Sequence, residues 1–278
     1  MSGKSVADAL GEARLRGLAL LDAQLMLARL LGTTRTRVIA HDDALLAPAH
    51  AAQWAAWLER RAGGEPLAYL LGEKEFHGLM LEVTPEVLVP RPETELLVDW
   101  AIELLPGLGA AARVVDLGTG SGAIALALKH AQPEAAVAAT DASRSALAIA
   151  RRNAGHLSLE VEFIEASWWQ GLEGRTFDLV VANPPYIREG DPGLAALRHE
   201  PGSALTAGTD GLTALRAIVA GALQHLGAGG WLVLEHGFDQ AGRVRELLGA
   251  AGLERIETRR DLAGHPRVSA AQRLRAAP

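Results

Sequence analysis

Asn183-Pro184-Pro185-Tyr186 stands at the end of a strand with the apolar residues Leu179, Val180 and Val181. Two prolines after a buried strand lock the backbone and leave carbonyls with no competing amide partner. The Asn183 side-chain oxygen and the Pro184 carbonyl can each accept a hydrogen bond from one planar NH2 group. An amide or aromatic-amine nitrogen of that kind is a poor nucleophile, because its lone pair is delocalised. Accepting both of its protons raises the electron density on nitrogen and stabilises the positive charge that grows there as it reacts. Tyr186 can pack on the planar group and fix its tilt. No strong general base is evident beside the motif, and none is required if the proton leaves after the new bond has formed.

A second group of residues could hold the reagent. Asp116-Leu117-Gly118-Thr119-Gly120-Ser121-Gly122 joins an apolar strand to a helix. Glycines there permit a tight turn and a close approach of backbone to a ligand. Gly118, Gly120 and Ala123 also fit the dinucleotide pattern loosely, so the loop alone leaves a plain turn and a nicotinamide site open. Asp141 ends the next strand, about 20 residues further on, where a carboxylate can accept from both hydroxyls of a ribose. Either adenosine cofactor would use it. Asp116 separates them: an ionised acid opposes a pyrophosphate but suits the ammonium group of a methionine. The competing role for Asp116 is to cap the following turn. Trp168 stands where a ring can flank an adenine or simply pack. Together these residues are expected to bind S-adenosyl-L-methionine. In-line approach of nitrogen to the methyl group makes positioning worth several kcal/mol, of the order of the ~7–11 available from ideal orientation.

The elements that must position these residues can be read around them. Leu18, Leu21, Leu25 and Leu30-Leu31 recur at helical spacing, with Asp22 and Arg29 turned away and Gly32 as the C-cap. Pro48 opens another helix carrying Trp54, Trp57, Leu58 and Arg61, ended by Gly63-Gly64. Those tryptophans are read as core, with a partner-binding surface as the alternative. From Glu73, Phe76 to Val83 have strand spacing, Thr84-Pro85-Glu86 reads as a turn, and Val87-Leu88-Val89 as a second strand. The pair of prolines in Pro90-Arg91-Pro92 then precedes a helix from about Glu93 to Leu105. Beyond Arg113, strands at Val114–Asp116, Val137–Thr140, Val161–Ile164, Phe177–Ala182 and Trp231–Glu235 alternate with helices. The helices lie at Ala123–Lys129, Ser143–Asn153 and Leu212–His225. Alternation of this kind predicts an α/β fold: a Rossmann-like, mostly parallel sheet with helices on both faces. Ligands of such sheets sit beyond the carboxyl ends of the strands. The expected organisation is a helical domain over 1–72, a β-hairpin linker over 73–95 and the Rossmann-like domain over 96–278.

Composition narrows the class. The 278 residues carry 27 basic and 33 acidic side chains, a formal charge of −6, which argues against a general binder of nucleic acid. There is no cysteine, so disulfides and thiolate metal sites are excluded. His77, His199 and His236 lack paired ligand spacing, and no metal is expected. The N-terminus, Met1-Ser2-Gly3-Lys4-Ser5, leads into charged residues rather than an apolar signal core. No apolar run approaches the roughly 20 residues needed to cross a bilayer. A cytoplasmic monomer without membrane attachment is expected.

The acceptor motif by itself suits adenine N6, some ribosomal guanines and glutamine amides alike. Over nearly its whole length, however, the chain resembles the protein-(glutamine-N5) methyltransferases that modify peptide chain release factors, the HemK/PrmC family. The resemblance lies in Glu65 to Gly72, Glu75 to Leu79, Val87 to Glu95, Asp116 to Leu126, Asn183 to Tyr186 and Glu235-His236-Gly237. Pro90-Arg91-Pro92-Glu93-Thr94-Glu95 is its most family-specific part. It implies an S-adenosylmethionine-dependent enzyme whose substrate is the glutamine of the release factors' Gly-Gly-Gln motif. It implies cofactor contacts from Gly118, Thr119, Gly120, Ser121, Gly122, Asp141, Trp168 and Asn183, and glutamine contacts from Asn183, Pro184, Pro185 and Tyr186. It also implies that the N-terminal helices help to hold the release factor. Arg91 and Glu93 are expected to wall the cleft and order the substrate backbone, or else to be a structural linker. Asp261 to Val268 departs from the family, which has Asn-Asp where His265-Pro266 stand; the departure bears on that loop's conformation. The rival expectations are an adenine-N6 methyltransferase acting on DNA or RNA, and a non-catalytic Rossmann-like adapter. The first would need a basic surface for phosphates; the second would need neither Asn183 nor its prolines.

Overall fold

The structure, a computed structural model, describes residues 3–275. Met1 and Ser2 of the N-terminal segment considered above lie outside the described residues, as do 276–278. The chain divides into two compact units, Met1–Glu73 and Lys74–Pro278.

The first unit is helical: α1 (Val6–Leu15), α2 (Leu20–Leu30), α3 (Arg35–Ala40), α4 (Pro48–Ala62) and α5 (Leu67–Leu71). Ser5 and Asp8 cap α1 reciprocally, each bonding the other's backbone N–H. The buried face of α2 is Ala23, Met26, Leu27 and Leu30, and Leu21 is 50% exposed. This corrects the stripe through Leu18, Leu21 and Leu25. The helix starts at Leu20, and spacings of three and four from Ala23 define the apolar face. Trp54 is fully buried, its indole N–H donating to Glu12 Oε2 at 3.2 Å, and Trp57 packs at the edge of the same core. These tryptophans fill the interior of their own unit.

A hairpin of β1 (Glu73–Phe76) and β2 (Leu79–Glu82) follows. It turns at His77-Gly78, where φ is 49° and 78°. Two left-handed residues in succession make the tight turn that matches the twist of a two-residue hairpin, which glycine enters without strain. The expected turn at Thr84-Pro85-Glu86 is present, closed by the Val87 N–H donating to the Thr84 carbonyl at 3.1 Å, but it joins no second strand: the strand expected at Val87–Val89 is corrected. Val87 and Val89 are buried but irregular, and the Val89 N–H donates to the Glu200 carboxylate instead of a neighbouring strand.

The remaining chain builds α6 (Pro92–Leu108), β3 (Arg113–Leu117), α7 (Ala123–Ala131), β4 (Ala136–Asp141) and α8 (Arg144–Leu157). There follow β5 (Glu162–Glu165), β6 (Phe177–Ala182), α9 (Thr213–His225), β7 (Leu226–Glu235), α10 (Ala241–Ala250), β8 (Glu254–Arg260) and β9 (Pro266–Gln272). The sheet order is β5-β4-β3-β6-β7-β9-β8. Strands β3 to β7 are parallel, and β9 and β8 join antiparallel at one edge. Alternate residues of the central strands enter two separate cores. Val114, Leu179, Val181 and Val233 meet α6 and α7, while Val115, Val180, Leu232 and Leu234 meet α9 and α10. A sheet buried on both faces needs such near-continuous apolar strands. No helix among the described residues is long and apolar enough to cross a membrane.

Elements α10, β8 and β9 had no counterpart in the sequence-based expectation. β8 carries a single large apolar residue, Ile256, among charged ones, as a shielded edge strand does, and β9 opens on Pro266.

Asn153 on α8 ties the hairpin to the glycine loop. Its amide oxygen accepts from Glu82 N–H at 2.7 Å, and its amino group donates to the carbonyls of Glu82 (3.0 Å) and Ser121 (2.9 Å). Asn153 is buried, so Asn153→Ala strips three backbone groups of their partner. Urea unfolding should show a loss of about 2–4 kcal/mol, against under about 0.5 for an ordinary surface change.

Candidate active site

Strand order reverses between β3 and β6, and the crevice above that point holds the residues singled out by sequence. β3 pairs with β6 through Val114–Leu179, Val115–Val180 and Asp116–Val181. This brings the loop after β3 alongside Asn183, the first residue beyond β6. A cavity of about 320 Å³ opens there, at the low end of small-molecule sites. Gly118, Gly120, Asp141, Trp168, Asn183 and Pro185 line it. Gly118 has φ 78°, and a Cβ at this position would stand 3.2 Å from the Trp168 ring. Only glycine lets that ring lie against the loop.

Asp141 is shaped to receive a diol. Its Oδ2 accepts from Gly120 N–H and its Oδ1 from Ser143 N–H, both at 2.8 Å, which fixes the carboxylate in place. Each oxygen keeps a further lone pair for a ligand. Burial outweighs these two bonds and raises its pKa above the usual carboxylate range. A ribose that donates to it would replace part of the lost hydration.

Asp116 lies behind the loop, not on the cavity wall. It is fully buried, accepting from the Thr119 hydroxyl at 2.6 Å and from Ala125 N–H at 3.3 Å, both on Oδ2. Its Oδ1 has no partner, and burial pushes its pKa up to about 7. Thr119, Ser121 and Gly122 are likewise outside the cavity lining. Thr119 serves Asp116, the Ser121 carbonyl serves Asn153, and Gly122, at φ 85°, caps α7.

A second, smaller cavity of about 170 Å³ adjoins on the other side of Asn183. Arg91, Asn183, Pro184, Tyr186, Leu88 and Leu205 are among its walls. Asn183 is thus common to both cavities, whereas Pro184 and Tyr186 face only the smaller and Pro185 only the larger. The Arg91 guanidinium donates to Glu200 Oε1 at 2.5 Å, so its charge is matched by a buried carboxylate while its side chain walls the cavity. Glu93 is exposed and lines neither cavity.

Beneath Asn183 lies a group of residues whose roles sequence reasoning missed. Asn183 Nδ2 donates to Thr94 Oγ1 at 3.0 Å. The Tyr186 hydroxyl donates to Glu235 Oε1 at 3.2 Å, and Gln240 donates to the Tyr186 carbonyl at 3.0 Å. Glu235 is buried, with Oε2 lacking a partner, and burial raises its pKa to about 7. The neighbouring Thr94 hydroxyl, Arg267 and Tyr186 each favour its ionised form. Burial and the Glu235 charge raise the Tyr186 phenol in turn. Thr94 and Glu235 stood inside a helix and a strand read from the sequence but were given no role of their own; a polar residue at the third position of α6, and another ending an apolar strand, were the signals to follow.

Comparison with known proteins places these residues in context. Residues 94–199 match the methyltransferase small domain, and 4–72 match the PrmC N-terminal domain. A release factor glutamine methyltransferase of Bordetella pertussis is 48% identical, covering 91% of this chain and 94% of its own. One of Burkholderia pseudomallei is 49% identical over 90% of each chain. Among solved structures, a methyltransferase from Pyrococcus furiosus shares the fold, with a TM-score of 0.55 and 20% identity, covering 79% of this chain and 99% of its own. The 16S rRNA N2 G1207 methyltransferase of T. thermophilus does so with a TM-score of 0.53 and 21% identity, over 72% and 49% of the two chains.

Asp116 makes stability depend on pH in a definite direction. Between its ordinary value near 3.8 and about 7 the folded protein holds a proton that the unfolded chain has released, so its contribution to stability falls as pH rises through that window. Asp116→Asn cannot titrate. Urea midpoints from pH 4 to 7 should show the variant gaining steadily on the unaltered protein; a difference constant with pH would contradict the raised value.

Proposed function

The chain belongs to the release factor glutamine methyltransferase family, and on that premise we propose that it methylates the side-chain amide nitrogen of the glutamine in the release factors' Gly-Gly-Gln loop. The observation that carries this is the pair of cavities meeting at Asn183, one suited to a nucleoside and one to a single small planar group. S-adenosyl-L-methionine fits the larger: Asp141 would take the ribose hydroxyls, Trp168 and Gly118 the flat base, and Gly120 backbone the close approach. Asp116, behind the loop, would act on a cationic methionine end through its charge alone, without contact. When bound, the cofactor supplies an electrophilic methyl group on sulfur.

The chain's own residues do the rest. With Nδ2 committed to Thr94, the Asn183 amide has its oxygen left to accept from the glutamine NH2, and the Pro184 carbonyl accepts the second proton. Tyr186, anchored at both its hydroxyl and its carbonyl, packs on the amide plane. Arg91, held by Glu200, closes the wall of the acceptor cavity. Glu93 would act only at a distance, through its charge on Glu235. The smaller cavity, about 170 Å³, suits one side chain entering alone. The helices of Met1–Glu73 would hold the body of the release factor. Such a substrate gives the protein a cytoplasmic place of work, with no need for nucleic acid.

The test is transfer of label from S-adenosylmethionine to purified release factor, to its Gln→Ala variant and to nucleic acid. Label should appear on the first alone; label on nucleic acid alone would overturn the proposal. Asn183→Ala should lower kcat by about 10²–10³-fold, as loss of a group that acts mainly in the transition state does. Cofactor affinity, measured by calorimetry, should change far less. An equal fall in both would make Asn183 chiefly a cofactor ligand.

A further inference from the structure

We propose that Thr94 and Glu235 are positioning residues for the transfer, a buried pair that holds the Asn183 amide, through Thr94, with its oxygen free for the acceptor nitrogen, and the Tyr186 ring, through Glu235, beside it. This rests on the function proposed above and goes beyond it by naming what sets the direction of the Asn183 amide.

The placement follows from strand register. Ala182 pairs with Leu234, so Asn183 and Glu235 are the next residues on neighbouring parallel strands. Both continue the alternation of Val181 and Val233, which face α6. Thr94 is the third residue of α6 and fully within its first turn. The three side chains therefore meet on one face, at the carboxyl end of the sheet, directly under the acceptor cavity.

Hydrogen-bond polarity decides the rest. A threonine hydroxyl has one proton to give, and an ionised carboxylate only accepts. Glu235 is the ionisable neighbour of Thr94, and its ionised form offers the Thr94 proton only an acceptor. Thr94 Oγ1 is then left as an acceptor, and Asn183 answers with its amino group, at 3.0 Å. The amide oxygen is the end that remains. If Glu235 were neutral, it could donate, and the Thr94 proton could turn to Asn183. The amide would then present its NH2 to the cavity, donor against donor, and the glutamine nitrogen would lose one of its two acceptors. Tyr186 draws its hydroxyl bond from the same carboxylate, so ring and amide are set by one group.

Other groups bear on Glu235. Arg267, from β9, favours its charge, and Glu93, one residue before Thr94, opposes it. Tyr186 contacts it, and His236 follows it in the chain, bonded to Gly237 and Ser269, with burial lowering its pKa. Replacing Glu235 separates its titration from that of His236.

The experiment measures kcat and both Michaelis constants on release factor for the unaltered protein, Thr94→Val, Thr94→Ser and Glu235→Gln, each with its unfolding midpoint. Thr94→Val should lower kcat by about 10- to 100-fold, the usual effect of removing an orienting partner, with the Michaelis constant for S-adenosylmethionine within about twofold. Thr94→Ser keeps the hydroxyl and should restore most of the rate. The unaltered kcat should fall as pH drops below about 7, and Glu235→Gln should be slow with that limb weakened, Asp116 keeping its own titration in the same range. Thr94→Val at full rate, Thr94→Ser no faster than Thr94→Val, or Glu235→Gln at full rate would each overturn the inference while leaving glutamine methylation intact. An unaltered protein that leaves the glutamine unmethylated would overturn the function itself.

Discussion

The parallel pairing of β3 with β6 is the constraint on which the site depends. It joins two segments about 60 residues apart in sequence, and without it the glycine loop and Asn183 would have no common ground. Each strand feeds a residue upward at its carboxyl end: Gly118 from one, Asn183 from the other. Because helices cover both faces, the only open direction is along the strands. Ligands must therefore enter from that end, one from each side of Asn183. The two cavities are the direct consequence of this adjacency.

The second feature is how charge is kept under the site. Asp116 and Glu235 both end or nearly end a central strand, both are buried, and each has one oxygen without a partner. Leaving a carboxylate so poorly solvated costs stability that apolar residues would not. The two sit under the two cavities, Asp116 behind the glycine loop and Glu235 beneath Asn183 and Tyr186. Buried groups with strained ionisation gather at working sites, because direction and charge there are worth more than burial. Asn153, by contrast, is fully satisfied by three backbone bonds and holds the loop rigid.

Much of this was legible in the sequence, for identifiable reasons. Short apolar runs gave the five parallel strands, and β6 was found to the residue because Phe177 to Ala182, apolar but for Asp178, runs straight up to Asn183. Asp141 and Asn183 could be placed because each terminates such a run. The hairpin was misplaced because its turn uses His77 before Gly78, where a left-handed histidine gives little warning. The antiparallel edge escaped because β8 is too charged to show alternation. Thr94 and Glu235 were invisible as a pair: they lie on different elements, 141 positions apart, and only the register of β6 with β7 under α6 joins them. Glutamine as the acceptor came from likeness to relatives and not from the tetrapeptide, which orders any planar nitrogen.

The central claim is geometric: Asn183 stands between a methyl donor and an amide, with its oxygen toward the amide. A crystal structure of the protein with S-adenosylhomocysteine and a release-factor peptide containing Gly-Gly-Gln would test it most directly. The account predicts the glutamine nitrogen in the smaller cavity, within hydrogen-bond distance of Asn183 Oδ1 and the Pro184 carbonyl, with the cofactor's sulfur on the far side. A glutamine seated elsewhere, or an Asn183 amide turned with its oxygen on Thr94, would contradict it.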